Sequence, residues 1–283
     1  MPEAEIARLR QEFLRRVCAE CIHLRGSASV PSIADSSSKL SHRLAAGIIA
    51  RLGCTTCPEA ISGQTAGARF ESIVLDLLSQ TLGLLRHLRP AHWKYDVGAD
   101  ISGFVQYRHL ARLNELIEAH PEARSALGDY VVKPDVVVAR YAITDQEINR
   151  HREIVASGSP PHLSPLRRAE ADSSLILHAS ISCKLTLRSD RSQNARTEGL
   201  NLIRNRKGHT PHIAVVTAEP MPTRIASLAL GTGDIDCVYH IALDELVAAS
   251  RDLADESALD ALNTMIEGSR LRDIADLPFD LIT

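Results

Sequence analysis

Two short stretches carry residue types that could act on a phosphodiester. In the first, Asp135 follows Pro134 inside the β-branched run YVVKPDVVVARY (130–141). A carboxylate in a buried strand is costly unless something cationic binds it. In the second, the apolar run LILHASISCKLTL (175–187) contains Ser182, Cys183 and Lys184, and Glu198 follows 14 residues after the lysine. Two acids can hold Mg²⁺, which lowers the pKa of a water and neutralises charge on a phosphorane. A lysine beside them can orient the attacking water or stabilise the charged transition state. If the two runs are neighbouring strands, Asp135 and Lys184 meet at one edge. Those two alone also fit a structural ion pair; the third residue, Glu198, favours chemistry.

Between Lys184 and Glu198 lies Arg188-Ser-Asp190-Arg191. Arginine makes bidentate hydrogen bonds to guanine O6 and N7 in the major groove, and a carboxylate accepts from cytosine N4. Two arginines and an aspartate at a helix start could read adjacent G·C pairs close to the lysine. The local charge agrees. Residues 184–208 hold seven Lys or Arg and two acids, an excess of +5, so the rest of a chain of net charge −3 carries −8. One basic face on an acidic body suits a polyanion; the plainer alternative is a solvated helix face.

The elements that must position these residues follow from periodicity. The 283 residues are 45% hydrophobic and 24% charged, as in an ordinary globular protein. No apolar run of 18 residues suggests a membrane span, and the charged start MPEAEIARLRQEF argues against a secretory signal, so a cytoplasmic protein is expected. Helical spacing predicts helices over 4–25, about 40–52, from about 65 (apolar face Phe70, Val74, Leu77, Leu78, Leu82, Leu85), over 104–120 up to Pro121, and from about Asp190 to Arg204. Strands are expected at Trp93–Val97, in the two runs above, in HIAVVTAEP (212–220, almost uniformly apolar and so central) and in CVYHIAL (237–243), with two short helices after them. The Pro- and Ser-rich 156–174 reads as a loop, and Gly231-x-Gly233 as a turn rather than a phosphate loop. Strands separated by helices predict an α/β fold with a mixed, covered sheet. The chain is expected to form a single domain, with a helical part at 1–60, a catalytic and DNA-reading core at 61–245 and C-terminal helices at 246–283.

Cys18-x-x-Cys21 and Cys54-x-x-Cys57 have the spacing of a structural zinc site. Cys18 and Cys21 also lie on the apolar stripe Ile6, Leu9, Phe13, Val17, where a buried thiol acts as a small hydrophobe. The second reading is favoured over zinc, and no disulfide is expected in a reducing compartment.

Pro134-Asp135, Ser182-x-Lys184 and Glu198 resemble the variant PD–(D/E)XK restriction-endonuclease core, in which a serine replaces the second-strand acid and the next helix supplies it. More narrowly, HASISCK, RSDR-x-QNAR-x-EGLNL, RNRKG, PHI-x-VVTAEP, ALGTG-x-IDCVYH and DLP-x-DL resemble the NgoMIV family of type II restriction endonucleases, densely over 178–240. The resemblance implies a restriction-endonuclease-like mixed β-sheet flanked by helices. It also implies a homotetramer, a dimer of dimers on two copies of double-stranded DNA, cutting GCCGGC with two Mg²⁺ per active site and leaving 5′ overhangs. By motif, Asp135, Lys184 and Glu198 would be catalytic, with Ser182 adjoining and Glu71 (in GQTAG-x-x-FE) a further acid. Asp135, Glu198 and the Cys183 carbonyl would hold metal. Arg188, Asp190 and Arg191 would read the central CCGG, Gln64 the minor groove, and Asp35 and Arg224 the outer pair. Alternatives are a DNA-binding protein with an inactive core, an enzyme reading other flanking bases around CCGG, and a repair nuclease without sequence specificity. The repair nuclease would need phosphate contacts but no Arg-Asp-Arg reader.

Overall fold

A computed structural model describes residues 4–120, 122, 132–168, 174–231 and 233–283. Pro121, the first two residues of the 130–141 run, the end of the 156–174 loop and Thr232 lie outside them. The chain forms two compact units: residues 1–89, 181–200 and 212–283 make the first, and residues 90–180 and 201–211 the second.

The first unit begins with α1 (Glu5–Cys21), which buries Leu9, Phe13, Leu14, Val17, Cys18 and Cys21. The helix stops earlier than expected because Ile22 turns extended and Leu24–Arg25 (β1) pairs antiparallel with Val30–Pro31 (β2). Helix α2 (Lys39–Leu52) is capped by the Ser38 side chain and closed by Gly53 in the left-handed region, φ 59°. Ser62 caps α3 (Gly63–Leu85), whose expected apolar face is buried as read, and α1 packs along it. Later elements of this unit are β8 (His212–Thr217), α7 (Pro222–Ala229), β9 (Cys237–His240), α8 (Leu243–Asp252), α9 (Glu256–Glu267), β10 (Leu271–Asp273) and α10 (Leu277–Leu281). Strand β10 and a third C-terminal helix were not expected; three residues are too few to show a period. The strands of this unit run in the order β10-β9-β8 and continue to β7 (Leu175–Lys184), with β8, β9 and β10 parallel. The apolar β8 thus lies between two neighbours, as its composition predicts. Arg10 ties α1 to both Glu245 (2.9 Å) and Asp273 (2.8 Å).

In the second unit, β3 (Trp93–Val97) pairs antiparallel with β4 (Val136–Tyr141), and the order is β7-β4-β3. The helix expected over 104–120 is a 3₁₀ segment (Val105–Leu110) followed by α4 (Ala111–Ala119). Gln106 is buried there and clamps the backbone of Leu177, donating to its carbonyl (2.7 Å) and accepting from its N–H (3.0 Å). In the loop region, β5 (Ile143–Thr144) precedes the short α5 (Asp145–Ile148) and pairs with β6 (Arg167–Arg168). Arg167 bonds Asp145 (2.6 Å).

The long strand β7 (Leu175–Lys184) gives its first six residues to the second unit and its last four to the first. Helix α6 (Ser189–Asn205) follows it. With parallel and antiparallel pairs in one sheet and helices around it, the architecture is the mixed α/β class expected.

The cysteines correct one expectation. Cys18 and Cys54 form a disulfide, with Cα atoms 6.2 Å apart, inside bridging range. The Cys57 N–H donates to the carbonyls of Cys18 (3.1 Å) and Ile22 (2.7 Å), which draws the second CxxC against the end of α1. Cys21 and Cys57 stay free and buried, and burial pushes the Cys21 thiol up to about 12. The bridge removes two of the four thiols a zinc site would need, and no three His, Cys, Asp or Glu side chains are grouped to hold a metal among the described residues. No helix among them is long and apolar enough to cross a membrane.

Candidate nuclease and DNA-reading site

Of the twelve residues singled out in the sequence, Asp135 belongs to the second unit and the other eleven to the first. Asp135 does not sit within its strand as expected; it immediately precedes β4. Its carbonyl accepts from Gly98 N–H (3.1 Å), extending the β3–β4 ladder by one rung, and its side chain is half-buried. The proline before it has no N–H to donate, so the regular ladder begins only after the aspartate.

Strand β7 ends at Lys184. Ser182 and Lys184 lie two residues apart and so share one face of the strand, while Cys183 faces the other way. Ser182 and Cys183 are buried and Lys184 is half-buried, which suits an apolar strand ending on a charge. Glu198 lies just past the middle of α6 and is half-buried. Its neighbour Gly199 explains how closely that helix packs: a Cβ there would come within 2.5 Å of the Asp234 carbonyl oxygen. On α3, Gln64 is exposed in the first turn and Glu71 half-buried two turns later, on the same side of the helix.

The segment between β7 and α6 carries the arginines. Arg188 and Asp190 are exposed, and Arg191 is half-buried, its guanidinium donating to Thr186 Oγ1 (2.8 Å). Arg188, Arg191 and Thr186 line a cavity of about 250 Å³ whose other walls include His23, Arg25 and Gly63. Arg25 is fixed by donating to the carbonyls of Ala34 (2.5 Å) and Pro31 (3.4 Å), so β1 and β2 help shape that wall.

Asp35 and Arg224, 189 residues apart in sequence, form an ion pair. The N–H and hydroxyl of Ser37, bonded to Asp35 at 3.0 and 2.9 Å, join Arg224 in holding its carboxyl down at about 2. Asp35 is therefore a carboxylate at any pH at which DNA remains double-stranded. Beside this pair lies Glu219, which the sequence reading passed over. It is fully buried, and burial pushes its carboxyl up, against the pull of bonds from the Leu187 and Met221 N–H groups. The signal was present: an acid closing the apolar run HIAVVTAEP is as anomalous as Asp135.

The chain matches the family model described as NgoMIV restriction enzyme over residues 13–283. It is 46% identical over 278 residues to the type II restriction enzyme NgoMIV of Neisseria gonorrhoeae, covering 96% of each chain. Among solved structures, a complex of the restriction endonuclease PspGI with substrate DNA is 17% identical (TM-score 0.37), covering 77% of this chain and 61% of that one. The type IIF restriction endonuclease Bse634I with cognate DNA is 11% identical (TM-score 0.31), covering 97% and 92%. The chain as a whole is thus a site-specific deoxyribonuclease and belongs to the NgoMIV family of type II restriction enzymes.

Proposed function

We propose that the enzyme hydrolyses double-stranded DNA at GCCGGC in the presence of Mg²⁺, leaving 5′ overhangs, and that it works in the cytoplasm as a dimer of dimers on two DNA copies. One short segment carries this reading: residues 182–191 hold the strand-end Lys184 and two of the cavity-lining arginines, Arg188 and Arg191, so recognition and chemistry are built on the same ten residues. The family resemblance supplies the sequence of the site and the assembly.

The donor chemistry fits magnesium. Asp135 and Glu198 offer half-buried carboxylate oxygens and Cys183 a backbone carbonyl, the hard oxygen set this ion prefers. Bound there, Mg²⁺ would act as a Lewis acid toward the phosphodiester and offset its developing charge. Lys184, an ammonium at the end of an apolar strand, orients the attacking water or stabilises the charge gained in the transition state. Ser182, on the same strand face, occupies the place of the usual second acid without competing with Glu198 for the ion. Glu71 is the further acid on α3. Arg188, Asp190 and Arg191 read the central G·C pairs, Asp35 and Arg224 the outer pair, and Gln64 the minor groove.

Asp135→Ala tests the chemistry. Its cleavage of plasmid DNA is expected to vanish, while specific binding to a GCCGGC oligonucleotide stays nearly intact, because the carboxylate touches no base. Sequencing the ends left by the wild-type enzyme on genomic DNA checks the site and overhang. Substantial cutting by the purified variant would remove Asp135 from the mechanism.

A further inference from the structure

Glu219 lies between the two sets of proposed base readers and touches the backbone beside each. Its Oε2 accepts from the Leu187 N–H at 2.7 Å. Leu187 is itself buried, so this bond pins the chain immediately before the exposed Arg188. Its Oε1 accepts from the Met221 N–H at 3.1 Å. Met221 is the N-cap residue of α7, and its carbonyl receives the N–H groups of Arg224 (3.0 Å) and Ile225 (3.2 Å). Arg224 Nη1 lies 3.9 Å from Glu219 Oε2. The Glu219 N–H is held in turn by Thr217 Oγ1 (3.1 Å) at the end of β8.

A fully buried carboxylate is retained against its desolvation cost only where it is bonded and has a cation near. Here both oxygens are occupied by N–H groups from segments 34 residues apart in sequence, and the cation is a proposed reader. We infer that Glu219 is a positioning residue that locks the Leu187–Arg191 segment to the start of α7, so that the central and outer base pairs are read as one unit. The inference rests on the proposed reading of Arg188 and Arg224 as base contacts. Glutamine cannot replace it. Both of its backbone partners are donors, and an amide turns one of its two acceptors into a donor. Aspartate keeps the charge but is one methylene too short to span both.

The test is a double-mutant cycle on the full-length enzyme. Arg188→Ala and Arg224→Ala, singly and together, are made in wild-type and Glu219→Gln backgrounds. Binding to GCCGGC and to scrambled oligonucleotides is measured with Ca²⁺ in place of Mg²⁺. In the wild-type background the two losses should be non-additive by about fivefold, within the range for residues in one network. In Glu219→Gln the coupling should shrink to less than about twofold, with Glu219→Asp in between. Circular dichroism and thermal melting check that each variant is folded. If Glu219→Gln does not fold, the Glu219→Asp cycle decides, with full coupling there counting against the inference. Additive losses in the wild type, or coupling that survives Glu219→Gln, would overturn it. If neither arginine variant lost discrimination between the two oligonucleotides, the base-reading assignment itself would fall, and the positioning role with it.

Discussion

Arg188 and Asp190 stand exposed at the start of α6, and among the described residues neither side chain has a hydrogen-bond partner. Arg224 and Asp35 are bonded to one another before any DNA arrives. Arg188 and Asp190, two of the three proposed central readers, therefore meet the bases from water, whereas Arg191 keeps a tether to Thr186 and the outer pair must give up or share an existing bond. In the first case the full strength of a bidentate contact is available, less the cost of stripping hydration. In the second only the difference between a base contact and an ion pair counts. On the proposed assignment of readers, unequal grip on central and outer base pairs would follow from how the protein holds its own side chains.

Arg188→Ala gives the largest expected effect. It should lose ~1–3 kcal/mol of discrimination between GCCGGC and a site altered at the central G·C pairs, and more in cleavage, because its segment starts from the proposed catalytic Lys184. The salt slope of binding should stay unchanged, as for a base contact rather than a phosphate contact. A variant that cut at the wild-type rate would end the comparison.

Arg224→Ala should cost less, about 1 kcal/mol, measured as lost preference for GCCGGC over a site altered only at the outer pair. Asp35→Asn should weaken the same preference, and the central one to a smaller extent. Losses equal to those of Arg188→Ala would mean that the ion pair persists, unbroken, in the complex.

The smallest change is Thr186→Val. It removes the hydroxyl that restrains Arg191, and the cost should be roughly 0.5–1.5 kcal/mol in binding, with melting temperature nearly unchanged. An effect as large as that of Arg188→Ala would show that the tether, and not the guanidinium alone, sets the contact.

The long elements of the fold were legible in the sequence. Helix α3 and strands β3 and β8 have periods or runs long enough to announce themselves, and Ser62 and Gly53 mark helix ends by chemistry visible in sequence. Strands β1, β2 and β10 were not, because two or three residues carry no period and their pairing comes from tertiary packing. The same distinction separates the site residues. Lys184, Arg188 and Arg191 could be grouped because they are close in sequence. The Asp35–Arg224 bond spans 189 residues, and nothing local in the sequence links those positions. The Cys18–Cys54 bridge was missed for a different reason: the expectation of a reducing compartment argued against any disulfide, whatever the geometry of the thiols.

The Asp35–Arg224 bond also bears on how the enzyme finds its site among millions of others. Binding to non-cognate DNA is driven by released counterions, and each cation presented to the phosphates tightens it. An arginine that its own chain neutralises offers little of that pull. On the proposed reading, the protein would slide and hop along random sequence with fewer sticky charges, and Arg224 would become available only where a base could take the place of Asp35.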